Sequence, residues 1–164
     1  MTTAVHRTHP DEWRIVDELY DGLRRFAAVA APADMDPDDL LQEALVNVLR
    51  RHALSDLDHP AAYLKRTMIN LAASHSRTMG RWRRLLPRIG GSQQETSNPD
   101  YPSDLAELYR LPSRERAALY LAEIEGYHFS EIGPLLGCTE AAARKSASRA
   151  RAHLRLALAG GERP

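Results

Sequence analysis

The chain has 164 residues, of which 43% are hydrophobic and 27% are charged, values typical of a folded globular protein rather than a disordered chain. Its 22 basic and 22 acidic side chains give a formal net charge of zero, so total charge alone does not indicate a nucleic-acid-binding protein. The single cysteine, Cys138, excludes an internal disulfide and a cysteine metal cluster, and no apolar run reaches the about 18 residues of a membrane span. The sequence therefore predicts a cytoplasmic protein without membrane insertion, metal site or cofactor.

The beginning of the chain predicts a pair of helices. From Glu12 to Ala30 apolar residues recur at spacings of three and four, which is typical of an amphipathic helix. Asp36 is a suitable N-cap for the next helix, and Pro37 suits its first position. That second helix has a polar side without basic partners, which is either solvated or a docking surface for a basic partner. Its residues are Asp39, Gln42, Glu43 and Asn47.

The stretch from Pro60 to Arg88 contains many basic residues and neither Asp nor Glu. Read as a helix, it places an apolar face opposite a polar and cationic stripe. Such a stripe is most often a solvated face, but it also suits a nucleic-acid backbone, and Asn70 could hydrogen-bond a base edge. The apolar face comprises Leu64, Met68, Leu71 and His75, and the stripe comprises Arg66, Asn70, Ser74, Arg77 and Arg81.

Residues 89–103 divide the chain. They contain a Gly-Gly pair followed by polar residues and prolines, with almost no apolar side chain to bury, so they read as a flexible linker. The predicted domains are residues 12–88 and 104–159, and the linker is long enough that they need not touch. The expected fold is all-α, with two small helical domains.

The second domain predicts a helix-turn-helix. After helices near residues 104–110 and following Ser113, a short helix capped by Ser130 ends at Gly137, and Thr139 caps a longer basic helix. Residues near the start of the second helix of such a motif enter the DNA major groove. Arg144, Lys145 and Ser148 are therefore candidates for base contacts, and Arg149, Arg151 and Arg155 for phosphate contacts.

Each domain contains a set of short motifs in a fixed order. The first domain contains the stretch Asp38-Asp39-Leu40-Leu41-Gln42-Glu43, then Tyr63-Leu64 and Asn70-Leu71-Ala72. The second domain contains Leu111-Pro112-Ser113-Arg114-Glu115-Arg116, Glu125-Gly126-Tyr127, Ser130-Glu131-Ile132 and Leu135-Leu136-Gly137. With these motifs the chain resembles bacterial sigma factors of the extracytoplasmic function (ECF) group, sigma-70 family.

The resemblance implies partners and roles. Core RNA polymerase, with its β′ and β subunits, and promoter DNA are the expected partners, and an anti-sigma protein is left open. Polymerase binding to a basic coiled coil of β′ would fall to Asp39, Gln42 and Glu43. Binding of the melted -10 promoter element would fall to Arg66, Asn70, Arg77, Arg81 and Trp82, with the loop from Ser55 to His59 as a base pocket. Binding of the -35 element would fall to Arg144, Lys145, Ser146, Ser148 and Arg149.

Some positions depart from the family pattern. Ile69 stands where the family usually has Arg, and Ser74 where an acidic residue is common, which predicts a weaker or differently specific melting helix. Ala143 and Ala147 replace larger apolar anchors, at a loss of roughly 1 to 3 kcal/mol per site unless neighbours fill the space. Together with the Gly133-Pro134 pair, they predict a second domain of marginal stability.

Other functions remain open on the sequence alone. A helix-turn-helix regulator acting without polymerase is the first alternative, and a protein-interaction module that never touches DNA is the second. Enzymatic chemistry is not expected, because no nucleophile, glycine-rich phosphate loop or His-carboxylate pattern accompanies Asp38, Asp39 and Glu43.

Overall fold

The computed structural model describes residues 10–85 and 107–160, and within those ranges the regular structure is helical, which confirms the predicted all-α fold. The first helical unit contains α1 (Pro10–Ala30), α2 (Pro37–Leu49), a short 3-10 turn, η1 (Leu54–Asp56), and α3 (Pro60–Leu85). The second contains α4 (Ser113–Glu123), α5 (Phe129–Leu136) and α6 (Glu140–Gly160). The predicted linker, 89–103, lies outside the described residues. None of the helices in the described ranges is long and apolar enough to cross a membrane.

The start of α2 is fixed by its cap. The Asp36 carboxylate accepts a hydrogen bond from the Asp38 backbone N–H at 2.7 Å, and Pro37 occupies the first helical position, as predicted. The helix then packs against α1 and α3 through one apolar face. That face comprises Leu40, Leu41, Ala44 and Val48, all buried.

The two helical units pack against each other. The sequence allowed the units to remain apart, but α1 and α3 contact α4 and α5, and buried side chains of both units form one continuous hydrophobic cluster. Phe26 of α1 lies 6.2 Å from Tyr120 of α4, measured between ring centroids. The main contacts of the second unit with the first are therefore made by α1 and α3.

Arg116 is the main polar link between the units. It is only 2% exposed, and its guanidinium donates to the carbonyl oxygens of Val29, at 2.6 Å, and of Ala31. The last carbonyls of a helix lack intrahelical partners, and α1 has no basic residue in its own last turn. Arg116 therefore caps the C-terminal end of α1 from the other unit, where the helix dipole favours a cation. The hydroxyl of Tyr109 adds a bond to the Ala28 carbonyl at 3.2 Å.

The remaining Arg116 donors are satisfied within the second unit, by the carbonyls of Tyr109 and Leu111 and by the Ser113 hydroxyl. Burial lowers the pKa of Arg116, and the nearby Tyr109 partly opposes that effect. Because each guanidinium nitrogen has an acceptor, the buried charge is compensated.

Lys65 forms a second link. Its ammonium donates to the Glu125 carboxylate, in the turn after α4, and lies 5.3 Å from the Tyr127 ring centroid and 5.6 Å from that of Phe26. Lys65 is 5% exposed, so this residue of the basic stretch serves packing between units and is not part of the cationic surface.

The helix-turn-helix is built as predicted apart from one cap. Gly137 adopts a left-handed φ of 66°, and the Thr139 hydroxyl accepts a bond from the Ala142 N–H at 3.2 Å. The helix before the turn begins at Phe129 with His128 as N-cap, so the prediction that Ser130 caps it is wrong. The Glu131 carboxylate accepts from the His128 N–H at 2.8 Å and closes a capping box.

Small residues allow α6 to pack closely. Ala143 and Ala147 of α6 are fully buried, and so are Ala117 and Ala118 of α4, the helix packed along α6. The sequence predicts a loss of stability at Ala143 and Ala147 unless neighbouring groups fill the space. Because α4 also buries alanines, the two helix backbones can approach closely and leave less space to fill. Gly133 makes a similar approach, because a Cβ built there would lie 3.0 Å from both the Cys138 carbonyl oxygen and the Glu140 nitrogen.

Replacing Arg116 tests the link between units. We expect Arg116→Lys to lower the free energy of unfolding by about 2 to 4 kcal/mol, because one ammonium cannot reach the carbonyls that the guanidinium spans. Arg114→Lys, at an exposed position of the same helix, is the matched control and should change stability by less than about 0.5 kcal/mol. Chemical denaturation measures both, and equal effects would contradict a capping role.

Gly133→Ala tests the tight turn. Its Cβ would meet backbone atoms of the turn, so we expect a lower melting temperature and a loss of about 1 to 3 kcal/mol. Gly80→Ala is the control, since nothing lies within 4 Å of a Cβ there and alanine favours a helix by up to about 1 kcal/mol. Stabilisation by both substitutions would show that the turn can relax.

Candidate functional site

The acidic face of α2 is exposed as a unit. Asp39, Gln42 and Glu43 all point away from the core, because the buried apolar face on the opposite side sets the rotation of the helix. Asp38 lies at the edge of this face and is engaged with Arg24 of α1 at 3.0 Å. The structure therefore leaves an anionic and amide-bearing surface available to a basic partner.

Val46 belongs to the same surface and was not predicted. It follows Gln42 by four residues and Glu43 by three, so it shares their face of the helix, and it is 47% exposed. Single exposed apolar side chains are common on protein surfaces, but a partner that covered this face would bury Val46 among the charged neighbours. Its spacing from Gln42 and Glu43 was the available sequence signal.

The cationic stripe of α3 is also brought together. Arg66, Asn70, Arg77 and Arg81 are all exposed, and they follow one another at intervals of four, seven and four residues along a continuous helix. These intervals keep the side chains on one side of a helix with 3.6 residues per turn. The predicted stripe therefore forms one exposed surface of α3. The neighbouring Lys65 is buried and does not belong to it.

A shallow groove lies within this stripe. It has a volume of about 610 Å³ and lies where the small residues Ser76 and Gly80 separate the arginine side chains. Its walls carry Arg77, Arg81 and Arg84, so the groove presents only cationic charge and suits a phosphate backbone. Trp82 is 57% exposed and is rotated about 100° from Arg81 around the helix, so it lies beside the stripe and not within it.

The loop between α2 and α3 borders a larger cleft of about 920 Å³. The first unit contributes loop residues and the start of α3, and the second unit forms the opposite wall. A base pocket is predicted at this loop from the sequence, but nothing in the sequence indicates that the second unit lines the same cleft. Among the lining residues are Asp58, His59, Tyr63, Arg66, Tyr127 and Glu131.

The outer face of α6 carries most of the predicted DNA-binding residues. Arg144, Lys145, Ser148 and Arg149 are exposed, while Ser146 is half-buried towards the core. Lys145 and Ser148 are three residues apart and lie opposite the buried alanines, so they occupy the middle of the outward face. Ser146 is the least accessible of the predicted set.

The arginines of α6 form surface ion pairs. Arg144 lies 2.7 Å from Glu140 and 5.0 Å from the Phe129 ring centroid, and Arg149 lies 3.9 Å from Glu115 of α4. Exposed pairs of this kind contribute about 0 to 1 kcal/mol, so a phosphate could replace the carboxylate at little cost. Arg151 pairs with Glu123 in the same way.

Comparisons with known proteins agree with this geometry. The fold matches the co-crystal structure of the sigma factor RpoE in complex with the anti-sigma factor NepR from Bartonella quintana, with a TM-score of 0.69 and 20% sequence identity. The match covers 94% of this chain and 100% of that chain. Residues 105–154 match the family model described as Sigma-70, region 4.

Residues 105–154 therefore resemble region 4 of the sigma-70 family. This match agrees with the family that the motifs of the second domain indicate. The region 4 match includes α4, α5 and most of α6, while the first unit shares its fold with the RpoE structure. No curated protein sequence matches the chain.

Removing one cation from the α3 stripe tests its contact with DNA. In the holoenzyme assembled with core polymerase, Arg77→Ala should weaken single-stranded DNA binding and reduce the slope of log affinity against log salt by about 0.7, the value for one lost phosphate contact. Arg14→Ala, on the exposed side of α1, should leave the slope unchanged. Fluorescence anisotropy over a salt series measures it, and equal slopes would remove Arg77 from the DNA surface.

Proposed function

We propose that this protein is a sigma factor that binds core RNA polymerase through the acidic face of α2 and directs it to promoters. The observation that carries this proposal is the separation of charge within one small helical unit. Asp39, Gln42 and Glu43 point outward on α2, and the adjacent α3 presents a cationic stripe on a surface of its own. One helix can therefore hold a basic protein partner while its neighbour holds DNA.

The polymerase contact has a definite chemistry. A basic coiled coil of the β′ subunit would meet two carboxylates, the Gln42 amide and the apolar side chain of Val46. Charge complementarity would orient the partner and speed its association, and burial of Val46 would add affinity. The ion pair between Arg24 of α1 and Asp38 lies at the edge of this surface.

The -10 element would bind along α3. Melting a duplex costs roughly 0.6 to 2.2 kcal/mol per base step, so captured bases and backbone contacts must offset that cost. Arg66, Arg77 and Arg81 would contact phosphates, and Asn70 would hydrogen-bond a base edge. The loop from Ser55 to His59 would receive a flipped base, and Trp82 could stack beside the stripe.

The -35 element would be read by α6 in the major groove. Lys145 and Ser148 would reach base edges from the middle of the outward face, and Arg144 and Arg149 would exchange their carboxylate partners for phosphates or bases. Ser146, being half-buried, would contribute only a peripheral contact.

Regulation and location follow from this function. The protein would act in the cytoplasm, where polymerase and DNA meet, as a binding subunit without catalysis of its own. The RpoE structure contains an anti-sigma factor, and a protein of that kind is a candidate partner here. Because the two units are packed together, one such partner could contact both of them.

Charge reversal tests the polymerase contact. We expect Asp39→Lys combined with Glu43→Lys to lower core polymerase affinity by about tenfold or more, because like charges would then face each other. Both positions are exposed, but Asp39 lies in the first turn of α2, where the helix dipole favours an anion, so the free energy of unfolding should fall by about 1 kcal/mol. Binding to immobilised core polymerase measures the effect.

The matched control places the same charges on α1, as Asp17→Lys combined with Glu18→Lys, two exposed positions outside the proposed contact. The control should bind core polymerase like the unmodified protein. Duplex DNA binding without any polymerase contact would instead indicate a helix-turn-helix regulator, and the absence of both activities would indicate a protein-interaction module.

A further inference from the structure

The loop that precedes α3 begins at a turn without a cap of its own. η1 (Leu54–Asp56) follows Ala53, whose side chain cannot accept a hydrogen bond. The backbone N–H groups at the start of a helical turn have no partner within the turn, and leaving them unpaired when buried is costly. Leu54 is fully buried, so its N–H cannot turn to water.

Glu12, on the first turn of α1, supplies the missing acceptors. Its carboxylate accepts the Leu54 N–H at 3.0 Å through one oxygen, and the Ser55 N–H at 3.5 Å and the Ser55 hydroxyl at 3.2 Å through the other. Glu12 is only 5% exposed, whereas acidic side chains are rarely buried without a partner. The carboxylate therefore caps η1, although Glu12 and Leu54 are 42 residues apart in the sequence.

The position of this turn determines the position of the cleft residues that follow. Leu57, Asp58 and His59 come directly after η1, and all three line the 920 Å³ cleft together with Arg66 of α3. The loop is therefore fixed at one end by Glu12 and at the other by the start of α3 at Pro60. Free movement of η1 would move the residues proposed to receive a base.

We infer that Glu12 is a positioning residue for base selection in the -10 element. It touches no DNA itself and acts by holding η1, so that the loop from Ser55 to His59 presents one conformation. The inference rests on the proposed function of that loop. It predicts that loss of the carboxylate broadens base preference more than it weakens overall DNA binding.

The test compares Glu12→Gln, Ser55→Ala and the control Glu18→Gln, an exposed position on the same helix. A glutamine of equal size places an N–H₂ group against backbone N–H donors, so it cannot replace both carboxylate oxygens. Each full-length variant is assembled with bacterial core RNA polymerase and offered a pool of short single-stranded DNA with randomised sequence. Sequencing of the bound fraction yields the base preference at each position.

We expect Glu12→Gln to reduce the strongest base preference by about three- to tenfold, with total bound DNA and core polymerase affinity nearly unchanged. Ser55→Ala, which removes only the hydroxyl contact, should produce a smaller change in the same direction. Amide exchange at Leu54 and Ser55 should accelerate in Glu12→Gln. Glu18→Gln should match the unmodified protein in every measurement.

Other outcomes overturn the inference. An unchanged base profile with faster exchange at Leu54 would show that a loose turn does not affect base selection. A lower melting temperature with weaker core binding but the same profile would make Glu12 a purely structural residue. If Glu12→Gln fails to fold, the Ser55→Ala profile decides, and no change there excludes positioning.

The loop itself is tested by His59→Ala. If His59→Ala changes the base profile and Glu12→Gln does not, the proposed base pocket stands and the role of Glu12 fails. If neither substitution changes the profile, the proposed base pocket fails with it.

Discussion

The structure depends on the burial of one guanidinium between two helical units. Arg116 belongs to α4, yet it binds the carbonyls that end α1, and the hydrophobic core continues across the same contact. A helix end without a cation of its own is thereby stabilised from the other half of the chain. Lys65 and Glu125 add a second polar link nearby. Together they place the second unit against the cleft beside the loop, and leave α2 and the outward face of α6 uncovered.

This arrangement keeps the charged surfaces apart. The carboxylates of α2 remain outside because its apolar face is fully occupied by α1 and α3. The arginines of α3 remain outside because Leu64, Met68 and Ala72 take the buried side of that helix. A chain with no net charge therefore presents separate anionic and cationic surfaces. The ion pairs on α6 are exposed and contribute about 0 to 1 kcal/mol each.

Local patterns in the sequence predicted the elements and the exposed faces well. The Asp36 cap, the left-handed Gly137 and the spacing of Arg66, Asn70 and Arg77 each depend on neighbours a few residues away. The contacts that set the architecture do not depend on near neighbours in the sequence. Glu12 is hydrogen-bonded to Ser55, and Arg116 to Ala31, across long stretches of chain. A buried Glu, Lys or Arg looks like a surface residue in a sequence, because its partner is a backbone group or a distant side chain. The packing of α4 on α6 likewise joins residues that are distant in the sequence.

The most direct test of the account is transcription in vitro with bacterial core RNA polymerase and randomly sheared genomic DNA from the source of the protein, with the 5′ ends of the transcripts mapped. The account predicts start sites that appear only when the protein is added, each preceded by a shared pair of sequence elements at fixed spacing. They should disappear when Asp39 and Glu43 are both reversed in charge. If the folded protein produces no start site beyond those of core polymerase alone, the result would contradict the account.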